Sequence, residues 1–166
     1  MLVISRHDLD PSLIPPFKII IPMLSNLYPF RLFTSLNYEI TAPKEASLYD
    51  YLVKHLEQEE GYCNLTSTLT TVMREMEKSK VKHYRICLIG NETAEWGIVM
   101  ELKRRGVVID TADTGGKNPL LVQISYITGG IHHTISEKTI TKHFQCDFML
   151  NSKSRQYYRI DKYETV

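Results

Sequence analysis

A proline-rich apolar segment near the start of the chain constrains the fold more than any other feature. Positions 8–40 are largely apolar, and five prolines fall among them: Pro11, Pro15, Pro16, Pro22 and Pro29. Proline has no amide hydrogen to donate and its ring clashes with the preceding helical turn, so the segment is predicted to be neither a helix nor a central strand. We therefore predict an extended arm over residues 1–29, followed by a globular domain over residues 30–166.

The arm is too apolar to remain in water and must dock in an apolar groove, either on its own domain or on a neighbouring copy. The second alternative makes the chain a self-assembling protein whose arm and groove are different surfaces, so that copies associate head to tail. We predict that five residues form this contact: Leu13, Ile14, Pro15, Pro16 and Phe17. The two prolines stiffen the segment and reduce the entropy lost on docking.

The composition favours a single core and argues against several functional classes. The 166 residues are 43% hydrophobic, which is enough to form a core without metals or disulfides. Twenty basic and nineteen acidic side chains give a net charge of +1, far from the strongly basic surface of a dedicated nucleic-acid-binding protein. Three widely spaced cysteines predict reduced thiols in a cytosolic protein. No segment approaches the roughly 18 apolar residues of a membrane span, so any membrane contact is predicted to be peripheral.

Hydrophobic periodicity predicts an α+β fold. Apolar residues alternate over Phe30–Ile40, which indicates a half-buried strand. Helical spacing predicts one helix over Leu48–Leu56, capped by Ser47, and a second over Leu69–Met76. Further strands are predicted at 83–89, 120–127, 138–150 and 156–160. We therefore expect a twisted antiparallel sheet packed against two amphipathic helices.

Residues 85–111 allow two interpretations. As a βαβ unit, the strands Arg85–Gly90 and Val107–Thr111 flank a helix over Glu92–Arg105, which is typical of half a nucleotide-binding fold. As a hairpin, Trp96–Leu102 is itself a strand that pairs with Val107–Thr111. The hairpin is favoured because Gly97 inside a helix would cost about 1 kcal/mol. Parallel or antiparallel pairing of 85–89 with 107–111 distinguishes the two interpretations.

No motif indicates catalysis, metal binding or cofactor binding. His132-His133-Thr134 is a single H-x-T sequence, whereas phosphodiesterases that grip a phosphate in this way use two, and we interpret it as a loop. Lys103, Arg104 and Arg105 are predicted to form a basic loop tip, which can contact the phosphates of a membrane or a nucleoprotein. We therefore predict a protein that is not an enzyme, with no cofactor, metal site or small-molecule substrate.

The order of elements resembles that of rhabdovirus matrix proteins. The resemblance runs from the acidic, Leu/Pro-rich arm at Asp8–Phe17 through the strand at Arg31–Ile40 to a helix that ends near Gly61-Tyr62, and closes with Gln145-Cys146-Asp147 and Asn151–Arg159. It implies a structural protein that self-associates, condenses the viral nucleocapsid and links it to the inner membrane leaflet and the glycoprotein tail. It also implies a place in the virion and the host cytoplasm, at the inner face of membranes, and leaves a nuclear phase open.

One motif of that family is missing from the chain. Budding members often carry P-P-x-Y in the arm, whereas this chain has Pro15-Pro16-Phe17-Lys18, so recruitment of ubiquitin ligases is not expected. Two other functions stay open at this point. One is a small nucleotide- or nucleoside-binding enzyme built on the βαβ unit at 85–111, and the other is an RNA-binding or host-directed accessory module.

Overall fold

Strands and helices alternate along most of the chain in a computed structural model, which describes residues 1–4, 9–27, 29–35, 38–43, 46–57, 64–115 and 118–145. The strands are β1 (Leu2–Ile4), β2 (Leu32–Thr34), β3 (Tyr38–Ile40), β4 (Arg85–Ile89), β5 (Val108–Asp113) and β6 (His132–Thr134). The helices are α1 (Phe17–Leu27), α2 (Leu48–Glu57), α3 (Leu65–Lys78), α4 (Trp96–Arg104), α5 (Pro119–Thr128) and α6 (Ile140–His143), and a 3-10 turn (Pro11–Leu13) precedes α1.

The strands form one mostly parallel sheet in the order β3-β2-β1-β4-β5-β6. β1 lies inside the sheet, parallel to β2 on one side and to β4 on the other, and β4, β5 and β6 are also parallel to one another. Within the described residues, only β3 runs antiparallel to its neighbour, β2. The predicted antiparallel α+β fold is therefore wrong, and the fold class is α/β. The continuous apolar stretches Leu2–Ile4 and Ile86–Ile89 are buried on both faces, as strands of parallel sheets are.

Helices cover both faces of the sheet. On one face, α1, α2 and α6 pack against strand residues such as Leu2 and Ile4. On the other face, α3, α4 and α5 pack against the alternate strand residues, among them Val3. This division into two apolar layers follows from the strand geometry, because successive side chains point to opposite faces of a sheet.

Residues 9–27 do not form an extended arm. α1 begins at Phe17, and its buried residues repeat at helical spacing: Phe17, Ile20, Ile21 and Leu24. Pro22 lies within this helix, but both Pro22 and Lys18, four residues earlier, are exposed, so water can solvate the carbonyl that Pro22 leaves without a hydrogen bond. The burial of apolar residues at helical spacing therefore outweighs the cost of Pro22 within the helix.

The βαβ interpretation of residues 85–111 is correct, and the favoured hairpin is wrong. α4 connects β4 to β5, and the two strands are parallel, with Ile86 opposite Ile109. Gly97 lies in the first turn of α4 at an exposed position. Its unfavourable helix propensity is offset by the burial of Val99 and Leu102 on the inner side of the same helix.

Two further predicted strands are helical where the structure describes them. Residues 120–127 lie within α5, and residues 138–145 contain α6. The predicted strand Phe30–Ile40 is divided into β2 and β3, which pair as a hairpin. The two predicted helices are confirmed as α2 and α3, while the predicted strand at 156–160 lies outside the described residues.

Candidate protein-interaction surface

α5 has no charged side chain, although one side of it faces water. Its sequence is PLLVQISYIT, and its inner residues, including Leu121 and Ile124, are buried against the sheet. Besides the polar Gln123, its outer residues include three large apolar side chains: Leu120 is 40% exposed, Val122 is 42% exposed and Tyr126 is 83% exposed. A helix on the surface of a globular protein normally presents charged and polar residues to water. The outer side of α5 is therefore typical of a contact surface rather than of a solvated one.

Trp96 and Met100 extend this apolar surface onto α4. They lie one helical turn apart, and each is 39% exposed. The opposite side of α4 faces α3, since Arg105 Nη1 lies 2.6 Å from Glu77 Oε1 of that helix. Nine residues, or about two and a half turns, separate Trp96 from Arg105, so Trp96 lies on the side of α4 that faces away from α3. α5 packs against α4 in the same helical layer, so the exposed residues of the two helices lie on the outer side of that layer.

We call this surface the α4–α5 face and define it by five residues: Trp96, Met100, Leu120, Val122 and Tyr126. They are five of the eight large apolar side chains that are exposed in the described part of the chain. At 39–83% exposure, they present on the order of 500 Å² in total, since a large aromatic side chain carries roughly 150–250 Å². Their concentration on two neighbouring helices distinguishes them from the single exposed apolar residues that any protein surface carries.

The three predicted basic residues lie at the C-terminal end of α4 rather than on a hairpin. Arg105 bonds to Glu77 and Glu101, which together raise the pKa of its guanidinium. Arg104 Nη2 lies 2.9 Å from Glu101 Oε2, so Glu101 is shared by two cations. Lys103 is exposed and forms no ion pair with a described residue. Contact of this group with phosphates stays a prediction, but only Lys103 has a charge that no described carboxylate offsets.

The predicted self-association residues pack mainly within their own chain. Leu13 and Phe17 are fully buried in the core layer that contains α1 and α2. Of the residues between them, Pro15 is exposed, and Ile14 and Pro16 are partly buried. Two of the three side chains that were expected to fill a neighbour's groove therefore already fill this chain's core. Contact of residues 14–16 with a second copy stays a prediction.

His132 belongs to a buried polar cluster between β5, β6 and α5. Its Nδ1 lies 2.8 Å from Thr111 Oγ1, and that hydroxyl in turn donates to the carbonyl of Leu121 at 3.0 Å. On the other side of the ring, Nε2 lies 3.7 Å from Asp113 Oδ2. Threonine, histidine and aspartate are the residue types of a nucleophilic triad. Thr111 is only 1% exposed and its proton is engaged by Leu121, so the cluster connects secondary-structure elements rather than offering a nucleophile.

His133 points to the opposite face of the sheet from His132. Its ring packs against that of His143 in α6, with 3.8 Å between the ring centroids. The sequence His132-His133-Thr134 is thus strand β6 and not the predicted loop. The two histidines take part in separate contacts on the two sides of the sheet and do not form one phosphate-binding site.

Ligands bind at the carboxyl ends of the parallel strands in open α/β folds. Here, two carboxylates near these ends accept hydrogen bonds from backbone amides at the starts of α3 and α5. Glu92 Oε1 accepts the amide hydrogen of Leu65 at 3.2 Å, and Asp113 Oδ2 accepts that of Asn118 at 3.4 Å. Among the residues that the structure describes, no group of three or more His, Cys, Asp or Glu side chains is arranged to hold a metal ion. This part of the chain also has no helix long and apolar enough to cross a membrane.

The sequence matches no protein-family profile and no curated protein. Solved structures do match the fold. One is the N-terminal domain of TFIIH p34, with a TM-score of 0.68 and 14% identity over 87% of this chain and 94% of that one. The fold is von Willebrand A-like. At this level of identity, the similarity establishes the fold alone.

Two further solved structures with the same fold come from a mussel byssus and from a bacterium. Proximal thread matrix protein 1 from the mussel byssus gives a TM-score of 0.57 at 15% identity, over 87% of this chain and 43% of that protein. BatB from Bacteroides thetaiotaomicron gives 0.51 at 13% identity, over 87% of this chain and 96% of that one. The mussel protein is also known with a zinc-occupied MIDAS motif. The rhabdovirus matrix function gains no support from these matches and loses its structural premise, the antiparallel sheet.

Proposed function

We propose that this chain is a non-catalytic protein-interaction domain of the p34 type and acts as a component of the TFIIH of its organism. The observation that carries the proposal is the match with the p34 N-terminal domain, which extends over 94% of that domain and 87% of this chain. The correspondence extends over most of both chains and includes the layered α/β architecture. Von Willebrand A-like domains are mostly non-enzymatic and generally mediate protein interactions.

The surface of the molecule supports this function independently of the comparison. The α4–α5 face is apolar and exposed, as expected of a surface that a partner covers. In contrast, two carboxylates near the carboxyl end of the sheet, those of Glu92 and Asp113, accept hydrogen bonds from the amides of Leu65 and Asn118 at the starts of α3 and α5. The described residues thus provide a surface for binding a macromolecule and no site with the features of a catalytic centre.

A nucleotide-binding enzyme is the second candidate, because β4 and β5 are parallel as that interpretation requires. However, the von Willebrand A-like structures share the fold, so parallel pairing does not favour an enzyme over them. The loop after β4 contains one glycine, Gly90, followed by Asn91 and Glu92. A phosphate-binding loop needs several glycines to let its backbone approach the phosphates, and Glu92 would repel them. The interaction domain is therefore the better-supported function.

The proposal can be tested by purifying the chain, through an affinity tag, from the cells that produce it naturally. We expect the other TFIIH proteins of that organism to co-purify in stoichiometric amounts, as identified by mass spectrometry. Isolation of the chain without any of them would contradict the p34-type function. Calorimetric titration of the isolated chain with ATP and GTP provides the counter-test, and micromolar binding of either nucleotide would favour the enzyme.

A further inference from the structure

We infer that the α4–α5 face binds a segment of a partner protein that combines apolar side chains with acidic residues, the acidic residues lying against Lys103 and Arg104. This inference rests on the proposed interaction function and adds the location of the binding surface and the chemistry of its ligand. Three observations carry it: the apolar residues, the charges at the two ends of α4, and the size of the surface.

The apolar residues are arranged to receive large side chains. Tyr126 is the most exposed of the large apolar residues, and Val122 lies one turn before it on α5. Trp96 and Met100 form the equivalent pair on α4, which packs directly against α5. Aromatic residues and methionine are enriched at the centres of protein interfaces, because they bury much area and adapt to the partner's shape. The centre of the contact is thus expected to be apolar on the partner as well.

The charges on α4 give the contact a direction. Lys103 has no ion-pair partner among the described residues, and Arg104, 73% exposed, shares Glu101 with Arg105. The C-terminal end of α4 therefore carries positive charge that the described carboxylates do not fully offset. Glu95 lies exposed at the N-terminal end of the same helix. Acidic residues of a partner are attracted to one end of α4 and repelled from the other, which sets the orientation of the bound segment.

The size of the apolar surface shows why the charged end must participate. A stable protein interface buries about 800 Å² on each partner. The five apolar residues supply on the order of 500 Å², so the contact has to extend onto neighbouring polar residues. α5 has no charged residue, whereas the neighbouring α4 carries Lys103 and Arg104 in its last turn. A polar rim around an apolar centre is the usual organisation of an interface.

Other occupants fit this surface less well. A second copy that docked through the same surface would bring α5, which has no acidic residue, and α4, whose N-terminal end offers one exposed carboxylate, Glu95, to Lys103 and Arg104. A membrane-bound amphipathic helix needs many basic residues along its polar side, whereas α5 has none and Arg105 is engaged with Glu77 and Glu101. An acidic segment with apolar side chains satisfies both the apolar centre and the unpaired charge.

The inference can be tested without the natural partner by selecting 16-residue peptides from a random phage-displayed library against the full chain. We expect the selected peptides to be enriched in Asp or Glu together with Leu, Phe or Trp, and to bind more weakly as salt is raised. We also expect them to shift the amide resonances of residues 96–104 and 119–128 in solution spectra of the chain. Selection of basic peptides, or shifts confined to α1 and α2, would overturn the inference.

Matched variants separate the two parts of the surface. The double variant Met100→Gln with Tyr126→Gln is expected to weaken peptide binding at least about tenfold, since truncating central aromatic contacts has effects of this size. Its control is Ile19→Gln, which changes an apolar residue that is 59% exposed on the other side of the sheet. Lys103→Glu is expected to weaken binding severalfold and to flatten its salt dependence, whereas Lys138→Glu, an exposed residue outside the face, should leave both unchanged. Melting temperatures of all four proteins verify that each is folded.

Three outcomes would contradict the inference. Equal binding by the parent and by the Met100→Gln, Tyr126→Gln protein would place the ligand elsewhere. Concentration-dependent dimerisation in sedimentation, abolished by this double variant but not by Ile19→Gln, would assign the face to a second copy. Cosedimentation with vesicles of 30% anionic lipid, lost in Lys103→Glu, would assign it to a membrane. Failure of co-purification with TFIIH proteins is a separate result, because it tests the proposed function and not the surface.

Discussion

At the scale of single residues, Gly130 shows how closely the loop after α5 approaches β5. A Cβ atom at this position would lie 2.0 Å from the carbonyl oxygen of Ile109 and 2.6 Å from its carbonyl carbon. Both are backbone atoms of a strand inside the sheet and cannot move aside. We therefore expect Gly130→Ala to lower the free energy of unfolding by about 3 kcal/mol or more, at the upper end of overpacking effects, as measured by urea denaturation.

Gly97 provides the matched control for this substitution. A Cβ atom added there meets nothing within 4 Å, and the residue lies in a helix. We expect Gly97→Ala to raise the free energy of unfolding by about 0.5–1 kcal/mol, because alanine loses less entropy than glycine in a helix. Equal effects of the two substitutions would show that the loop after α5 is not packed against β5 as described.

Cys87 makes the stability of the protein depend on pH in the alkaline range. It lies in the interior of β4, and burial raises the pKa of its thiol far above the usual range. An unfolded cysteine ionises near pH 8.5, so above this pH the unfolded chain binds fewer protons than the folded one, and stability falls. We expect a contribution of up to about 1.4 kcal/mol per pH unit between pH 8.5 and 10. The difference between the parent and Cys87→Ala in denaturation at several pH values isolates it, and parallel curves would contradict it.

At the scale of secondary-structure elements, the capping of α5 connects the candidate surface to the sheet. Asn118 Oδ1 accepts the amide hydrogen of Leu120 at 3.1 Å, while its Nδ2 donates to the carbonyl of Asn91 at 3.0 Å. We expect Asn118→Ala to cost about 1–2 kcal/mol, through loss of both the cap and this connection to the loop after β4. Asn118→Ser retains a capping oxygen and should cost less. Equal losses in thermal unfolding would indicate that the cap contributes little.

The sequence contains signals that identify α5 as a helix. Asn118-Pro119 is a typical helix start and Gly129-Gly130 a typical helix end, and Gly129 does adopt the left-handed conformation with φ 78°. The apolar residues between these two signals also fit the strand predicted over residues 120–127. Short apolar runs do not distinguish a buried strand from a helix, and only the caps at both ends do so. The helices α2 and α3 were predictable because their outer sides are polar and the helical period is therefore visible.

The candidate surface was harder to predict than the helices that form it. The absence of charge in residues 119–128 is visible in the sequence. However, a strand that is buried on both faces is also apolar along its whole length. The absence of charge therefore does not by itself indicate an exposed apolar surface. Only its place on the outside of the molecule shows that Val122 and Tyr126 are exposed. Similarly, the basic group was visible at 103–105, but its ion pair with Glu77 depends on the packing of two helices that are distant in sequence.

At the scale of the whole molecule, the first residues of the chain are part of the central sheet. β1 lies between β2 and β4, and Leu13 and Phe17 fill the core beneath α1. Deletion of residues 1–17 is therefore expected to prevent folding, because it removes an interior strand and leaves β2 and β4 without a common neighbour. Circular dichroism should show no cooperative thermal transition. A folded, monomeric truncated chain that no longer self-associates would instead restore the interpretation of this segment as an assembly arm.

We propose that the protein binds its partner through the outer surface of α4 and α5. Amide hydrogen exchange, compared between the isolated chain and the complex obtained by tag purification, tests it most directly. We expect amide exchange to slow on binding in residues 96–104 and 119–128 and to change little in α1 and α2, on the other side of the sheet. Slowing confined to α1 and α2, with α4 and α5 unchanged, would contradict it.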